Sequence, residues 1–115
     1  MVTKDSAFLA LIRAMPCLAC GIILDVEAHH IKTRGAGGGD DPWNIIPLCA
    51  NDHTQAAWSW HRNLDAFLNR YPHIVQHLIG LGWSRVDGML VHPGYQKRKP
   101  KQKAQYTIKP PEESK

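Results

Sequence analysis

The sequence predicts a small α+β domain that depends on a bound metal ion for its stability. Its 115 residues, 43% of them hydrophobic, suffice for one domain with a small core. Apolar residues recur at helical spacing in some segments and in short, β-branched runs in others, which predicts helices together with short strands. Three cysteines, two of them in a Cys-x-x-Cys pair, are odd in number for a disulfide framework but suit a metal or redox site.

The charge balance favours a polyanionic partner and the hydropathy pattern excludes a membrane protein. The formal net charge is +4 and the sequence pI is near 9.1. No apolar run reaches the 18 residues or so that a membrane-spanning helix needs. The apolar stretch near the N-terminus is interrupted by Arg13, so we interpret it as an amphipathic helix of a cytoplasmic protein and not as a signal peptide.

The first half of the chain predicts one helix and two strands. Residues 5–14 are expected to form a helix with one apolar face, made of Ala7, Phe8, Leu11 and Ile12. Residues 22–32 are rich enough in β-branched side chains for a strand or a short hairpin. Four glycines and a proline make residues 34–42 irregular, and the apolar run 43–48 predicts a second strand.

The second half predicts three helical segments and a hairpin. A helix is expected from Asp52, with Asp52 or Thr54 as N-cap, and it would continue through Trp58, Trp60 and His61. Because the two tryptophans cannot share a helix face, one is expected in the core and one on the surface. Residues 63–70 and 72–81 predict two more helices, and residues 83–92 predict a β-hairpin on an Asp-Gly type I′ turn.

The three cysteines are the first candidate site. Cys17, Cys20 and Cys49 supply thiolates, which zinc favours, and Cys-x-x-Cys is the usual spacing for half of a structural zinc site. The other half reads Cys49-x-x-Asp52-His53. The fourth zinc ligand is therefore either Asp52, through a carboxylate oxygen, or His53.

The paired histidines are the second candidate site. Successive side chains of a strand point to opposite faces, so His29 and His30 are expected to have different roles, one on a metal ion and one on water. Asn44, His53 and His61 follow within the next 31 positions, after the glycine-rich loop.

The motifs CLAC, EAHHIKTRGAGGGDDPWNIIPLC and DH together resemble the HNH nuclease family, particularly its small phage-associated members, over residues 16–61. The resemblance implies a ββα-metal (His-Me finger) core with flanking helices, in a zinc-stabilised domain of residues 1–95. It implies His30 as general base, His29 and His53 as ligands of a catalytic Mg²⁺ or Mn²⁺ ion, and Asn44 as the residue that ties the loop. Family members often carry a further histidine at the position of Ala57, and His61 could substitute for it.

The resulting hypothesis is a metal-dependent DNA endonuclease that leaves 5′-phosphate ends. Its DNA contacts are expected from Lys32 and Arg34 in the loop and from the basic tail 96–115, predicted to be disordered, through Lys97, Arg98 and Lys99. A phage packaging or recombination protein is a possible partner. The alternative, suggested by Asp52 and Ala57, is a catalytically decayed, zinc-stabilised nucleic-acid-binding or phage assembly module. A Cys-x-x-Cys redox protein is a weaker third option, since it leaves the histidines unexplained.

Overall fold

Three α-helices accompany two separate antiparallel sheets in the computed structural model, which describes residues 3–95. The helices are α1 (Ser6–Arg13), α2 (Leu64–Arg70) and α3 (Pro72–Leu81), and the strands are β1 (Val26–His30), β2 (Ile45–Cys49), β3 (Ser84–Val86) and β4 (Met89–Val91). Within this part of the chain, no helix is long and apolar enough to cross a membrane. The tail predicted at 96–115, including Lys97, Arg98 and Lys99, lies outside the described residues.

The β1–β2 pair is the centre of the fold and carries the paired histidines. Its register sets His29 opposite Ile46 and His30 opposite Ile45. All five residues of β2 are buried, because both faces of the strand are covered. Helix α1 packs on one side around Ile45, whereas Ile46 and Leu48 belong to the main core on the other.

Helix α1 buries a different face from the one predicted. Asp5 caps the helix by accepting a hydrogen bond from the Phe8 N–H at 3.0 Å. The buried residues are Leu9 and Ile12, with Phe8 half-buried, whereas Leu11 is 67% exposed. Phe8, Leu9 and Ile12 lie within about 100° around the helix axis, and this narrower stripe is what meets Ile45. The assignment of Ala7 and Leu11 to the apolar face was wrong.

Both strands of the first sheet begin later along the chain than predicted, and β1 is also shorter. Gly21 and Asp25 have positive φ angles of 82° and 55°, which lie outside the β region, so β1 begins only at Val26 and residues 22–24 form an exposed loop. A 3₁₀ turn at Pro42–Asn44 delays the start of β2 to Ile45.

The helix predicted from Asp52 is a single π-helical turn, Asn51–Gln55, closed by a hydrogen bond from the Ala56 N–H to the Asn51 carbonyl at 2.9 Å. Its N-cap is Ala50, so the assignment of Asp52 or Thr54 as N-cap was wrong. Because Ala56 is extended, the chain leaves the helix there, and Trp58, Trp60 and His61 lie in turns.

Of the two tryptophans of this segment, one lies in the core as predicted, but the other is half-buried and not exposed as predicted, because turns and not a helix set their positions. Trp60 is buried and packs edge-on against His29 and Phe67. Trp58 is half-buried, with the Arg70 guanidinium 4.2 Å from its ring centroid.

The predictions for the two later helices and for the hairpin are confirmed. The Asn63 side chain caps α2 through the Ala66 N–H, and Pro72 opens α3, which ends at Gly82 in the left-handed conformation. Positive φ angles at both Asp87 and Gly88 fit a type I′ turn between β3 and β4. These elements complete the main core around Phe67, Ile74, Leu78, Trp83 and Leu90.

Candidate functional site

The three cysteines converge on Asp52 in a cluster whose four donor atoms all lie within 4.8 Å of one another. The Asp52 Oδ2 atom lies 3.4 Å from the sulfur of Cys17 and 3.3 Å from that of Cys49. The sulfur of Cys20 lies 3.8 Å from that of Cys49. The turn at 17–21 and the first residues of the π-helical turn therefore face each other, and Asp52 joins the cysteines while His53 does not.

Burial dominates the electrostatics of this cysteine cluster. It raises the pKa of Cys49 to about 12 and also raises that of Cys20. Burial also opposes ionisation of Asp52, but hydrogen bonds from the thiols and from the Tyr71 hydroxyl, 2.8 Å from Oδ1, lower the pKa of this carboxyl overall. Asp52 is therefore ionised, with Tyr71 holding one oxygen and the other directed at the thiols.

A second cluster consists of His29, His53 and His61, whose nearest ring nitrogens also lie within 4.8 Å of one another. The Nε2 atoms of His53 and His61 are 3.1 Å apart. The backbone N–H of His61 also donates to the backbone carbonyl of His53 at 3.1 Å. The turns after Ala56 thus return the chain so that His61 faces His53.

His29 is fully buried, and neither of its ring nitrogens has a hydrogen-bond partner among the described residues. Burial, together with the nearby imidazoles of His53 and His61, holds its pKa well below the usual range of histidine. Burial and His53 likewise lower the pKa of His61. A neutral, buried and unpartnered imidazole is costly in a folded protein unless a further group occupies its lone pair.

Glu27 orients the second imidazole of this histidine cluster. Its Oε1 atom lies 2.5 Å from Nδ1 of His53, which places the proton on Nδ1 and leaves the Nε2 lone pair directed at His61. A carboxylate behind an imidazole is the usual arrangement that fixes the tautomer of a metal-binding histidine.

His30 points away from this cluster, as strand alternation predicts, and is bound by a carboxylate of the glycine-rich loop. Its Nε2 atom lies 2.7 Å from Oδ1 of Asp40, which is 2% exposed. Nη2 of Arg34 lies 3.1 Å from each oxygen of the same carboxylate. Burial would raise the pKa of Asp40, but hydrogen bonds from the Asp5 N–H and His30, together with the Arg34 charge, lower it.

Asn44 joins the two ends of the loop that holds Asp40. This fully buried side chain accepts a hydrogen bond from the Lys32 N–H at 2.8 Å and donates to the carbonyls of Lys32 at 3.0 Å and Gly39 at 2.8 Å. The segment after His30 and the segment before Asp40 are thereby fixed to one another.

The glycines of this loop serve internal packing at two positions. A Cβ atom on Gly38 would lie 1.8 Å from the Lys32 carbonyl oxygen, and one on Gly39 would lie 2.8 Å from the Thr3 nitrogen. Of the two cations expected to bind DNA here, Arg34 is paired with Asp40, and Lys32 lies 5.2 Å from the ring centroid of Tyr95.

A family model described as HNH endonuclease matches residues 17–57. This segment of the chain is therefore similar to HNH endonucleases. Comparison with curated proteins and with solved structures gives no significant match. The matched segment includes the three cysteines, the paired histidines and Asn44, and it ends at Ala57, four positions before His61.

Two residues that contact the histidines of this site are missed by sequence reasoning. Glu27 lies two positions before His29, so strand alternation places both on one face of β1, and this spacing was an available signal. Asp40 lies among glycines and has the local pattern of a turn residue. No local signal connects it to His30.

Proposed function

We propose that the protein is a metal-dependent DNA endonuclease of the HNH type whose catalytic ion is held by His29, His53 and His61. The observation that carries this proposal is the convergence of three imidazoles, one of them buried with both nitrogens unpartnered. The family match supports nuclease chemistry. Position 57, where members of the family often carry a histidine, is an alanine here, and His61 would supply the third imidazole in its place.

The donor set fits a divalent ion. Nitrogens bound about 2.1 Å from one ion at right angles lie roughly 3.0 Å apart, close to the 3.1 Å between the Nε2 atoms of His53 and His61. A bound divalent cation neutralises charge that develops on the phosphate and on the leaving 3′-oxygen. Of the two expected ions, Mn²⁺ suits three imidazoles better than Mg²⁺, which prefers oxygen ligands.

The cysteine cluster is proposed as a structural zinc site with Asp52 as fourth ligand. For zinc–sulfur bonds of about 2.3 Å, a tetrahedron has sulfur–sulfur edges of about 3.8 Å, the distance found between Cys20 and Cys49. The hydrogen bond from Tyr71 orients the Asp52 carboxylate, as outer partners of metal ligands commonly do. This site would stabilise the β1–β2 core without taking part in the reaction.

His30 is proposed as the general base. Its imidazole would take a proton from the attacking water, and such a base contributes roughly 10²- to 10⁴-fold to the rate. Asn44 would keep the loop, and with it His30, in place. In-line attack by water with departure of the 3′-oxygen leaves a 5′-phosphate end, so a ligase that requires this phosphate should reseal the nicks.

DNA is the proposed partner of the whole domain, taken as residues 1–95 with the 96–115 tail. Lys32, Arg34 and the basic residues Lys97, Arg98 and Lys99 would supply phosphate contacts. The resemblance to small phage-associated members extends the proposal to a packaging or recombination protein as partner, which affinity capture from infected cells would test.

Plasmid cleavage tests the nuclease proposal. The protein as isolated should contain one zinc and should nick plasmid only after Mn²⁺ or Mg²⁺ is added. His30→Ala should abolish nicking with the zinc content unchanged, whereas His77→Ala, at an exposed position of α3, should retain it. DNA binding with no cleavage in any divalent ion would refute the nuclease proposal and favour the decayed binding module.

A further inference from the structure

We propose that Asp40 is the positioning residue of the HNH site: it holds His30 in the tautomer that leaves Nδ1 free for water, and it holds Arg34 beside it for a substrate phosphate. This inference rests on the proposed nuclease function, because it assigns the groups that prepare the base and the substrate contact of that same site.

The hydrogen bonds around Asp40 account for both of its carboxylate oxygens. Oδ1 contacts His30 and Arg34, and Oδ2 accepts from the Asp5 backbone N–H at 2.8 Å and from Arg34 at 3.1 Å. A nearly fully buried carboxylate with this many donors is held in one orientation.

The tautomer of His30 follows from this carboxylate. Hydrogen bonds and the Arg34 charge keep the pKa of Asp40 low against the effect of burial, so the group is ionised and can only accept. The Nε2 atom of His30 must therefore carry a proton, which it donates in the hydrogen bond to Oδ1 of Asp40, 2.7 Å away. The lone pair is left on Nδ1, which has no hydrogen-bond partner among the described residues, and the carboxylate stabilises the imidazolium formed when Nδ1 accepts a proton.

The N-terminal segment fixes the position of Asp40. The Asp40 N–H donates to the Thr3 carbonyl at 2.8 Å, and the Thr3 hydroxyl donates to Asp41 at 2.7 Å. Gly39 allows this close approach, since a Cβ atom there would lie 2.8 Å from the Thr3 nitrogen and 2.9 Å from its carbonyl oxygen. Residues 3–5 thus hold both the backbone and the carboxylate of Asp40.

Asp40 holds Arg34 in place but binds only some of its hydrogen-bond donors. Only its Nη2 atom bonds Asp40, and the side chain is 53% exposed. Guanidinium has five N–H donors, so the others can reach a phosphate while the Asp40 contact holds the group near His30. One carboxylate therefore sets the relative positions of the base and of a substrate-binding cation.

Nitrogen-15 NMR of the histidine rings tests the tautomer directly in the full-length, zinc-containing protein. At about pH 8.5, where an ordinary histidine is neutral, His30 should show a protonated Nε2 and an unprotonated Nδ1. Protonation of Nδ1 in the wild-type protein would overturn the proposal. This measurement requires neither DNA cleavage nor a variant, so it is independent of whether the nuclease function is correct.

Substitutions then test the effect on the reaction. Asp40→Asn removes the obligate acceptor and should lower kcat by about 10²- to 10⁴-fold while shifting the His30 ring signals. Asp87→Asn removes the same charge at an exposed position of the β3–β4 turn, outside the site, and kcat should stay within about twofold. Arg34→Ala should raise KM for DNA and leave the tautomer unchanged. If wild-type protein cleaves DNA and Asp40→Asn retains as much activity as Asp87→Asn, the role of Asp40 is refuted and the nuclease function stands. If wild-type protein does not cleave DNA, the nuclease function fails.

Discussion

Truncating Asn44 should cost far more stability than truncating an ordinary capping asparagine. The buried Asn44 side chain makes three hydrogen bonds, at 2.8, 3.0 and 2.8 Å, all to backbone groups of Lys32 and Gly39. At about 1 kcal/mol for each bond, and with buried backbone groups left unpaired, Asn44→Ala should destabilise the domain by roughly 3–5 kcal/mol. A small domain has only about 5–15 kcal/mol in total.

Asn63→Ala is the matched control for this substitution. It removes the same atoms from an exposed side chain whose one hydrogen bond caps α2, and it should cost about 1 kcal/mol. Urea unfolding of zinc-loaded protein, followed by tryptophan fluorescence, measures both variants. With a slope near 1.5 kcal/mol/M, the midpoint should fall by about 2–3 M for Asn44→Ala and by less than about 1 M for Asn63→Ala. Equal losses would refute the assignment of Asn44 as the residue that ties the loop.

Three further predictions concern metals and DNA. Glu27→Ala should weaken Mn²⁺ binding at His53 by about 10- to 100-fold in calorimetry, and unchanged affinity would contradict the orienting role of this carboxylate. Zinc binding to the metal-free protein should release about two or more protons, because the thiols, with the pKa of Cys49 raised to about 12, must ionise to bind the ion. Calorimetry in buffers of different ionisation enthalpy measures this proton release. If no protons are released, the thiols do not bind zinc as thiolates. Alanine at all three basic positions of 97–99 should lower DNA affinity and reduce the salt slope by up to about three, whereas an unchanged slope would show that these residues do not contact phosphate.

The sequence predicts the position of a residue well where that position depends on its immediate neighbours along the chain. Alternation along a strand separates His29 from His30, and the structure places one in a buried cluster and the other on Asp40. The Asp87–Gly88 turn and the start of α3 at Pro72 likewise follow from intrinsic backbone preferences.

The residues that depend on distant contacts were not predictable. Asp40 is held by the backbone of Thr3 and Asp5, more than 30 positions earlier, and no periodicity reports such a contact. The sequence predicts His61 on the helix that begins at Asp52, but it reaches His53 through the turns that follow a single π-helical turn. Contacts between distant parts of the chain also decide which face α1 buries, since Leu9, and not Leu11, packs with Ile45.

Asp52 and His53 are consecutive residues of one π-helical turn, yet their side chains enter different clusters. If both clusters bind metal as proposed, a displacement of this turn at one site is transmitted to the other through a single peptide unit. Coupling between two binding equilibria is reciprocal, so occupancy of the cysteine site would change affinity at the histidine site by the same factor as the reverse. The domain would then respond to its two ions as one linked system, and a chelator that removes zinc would weaken the reaction without touching any group that performs it.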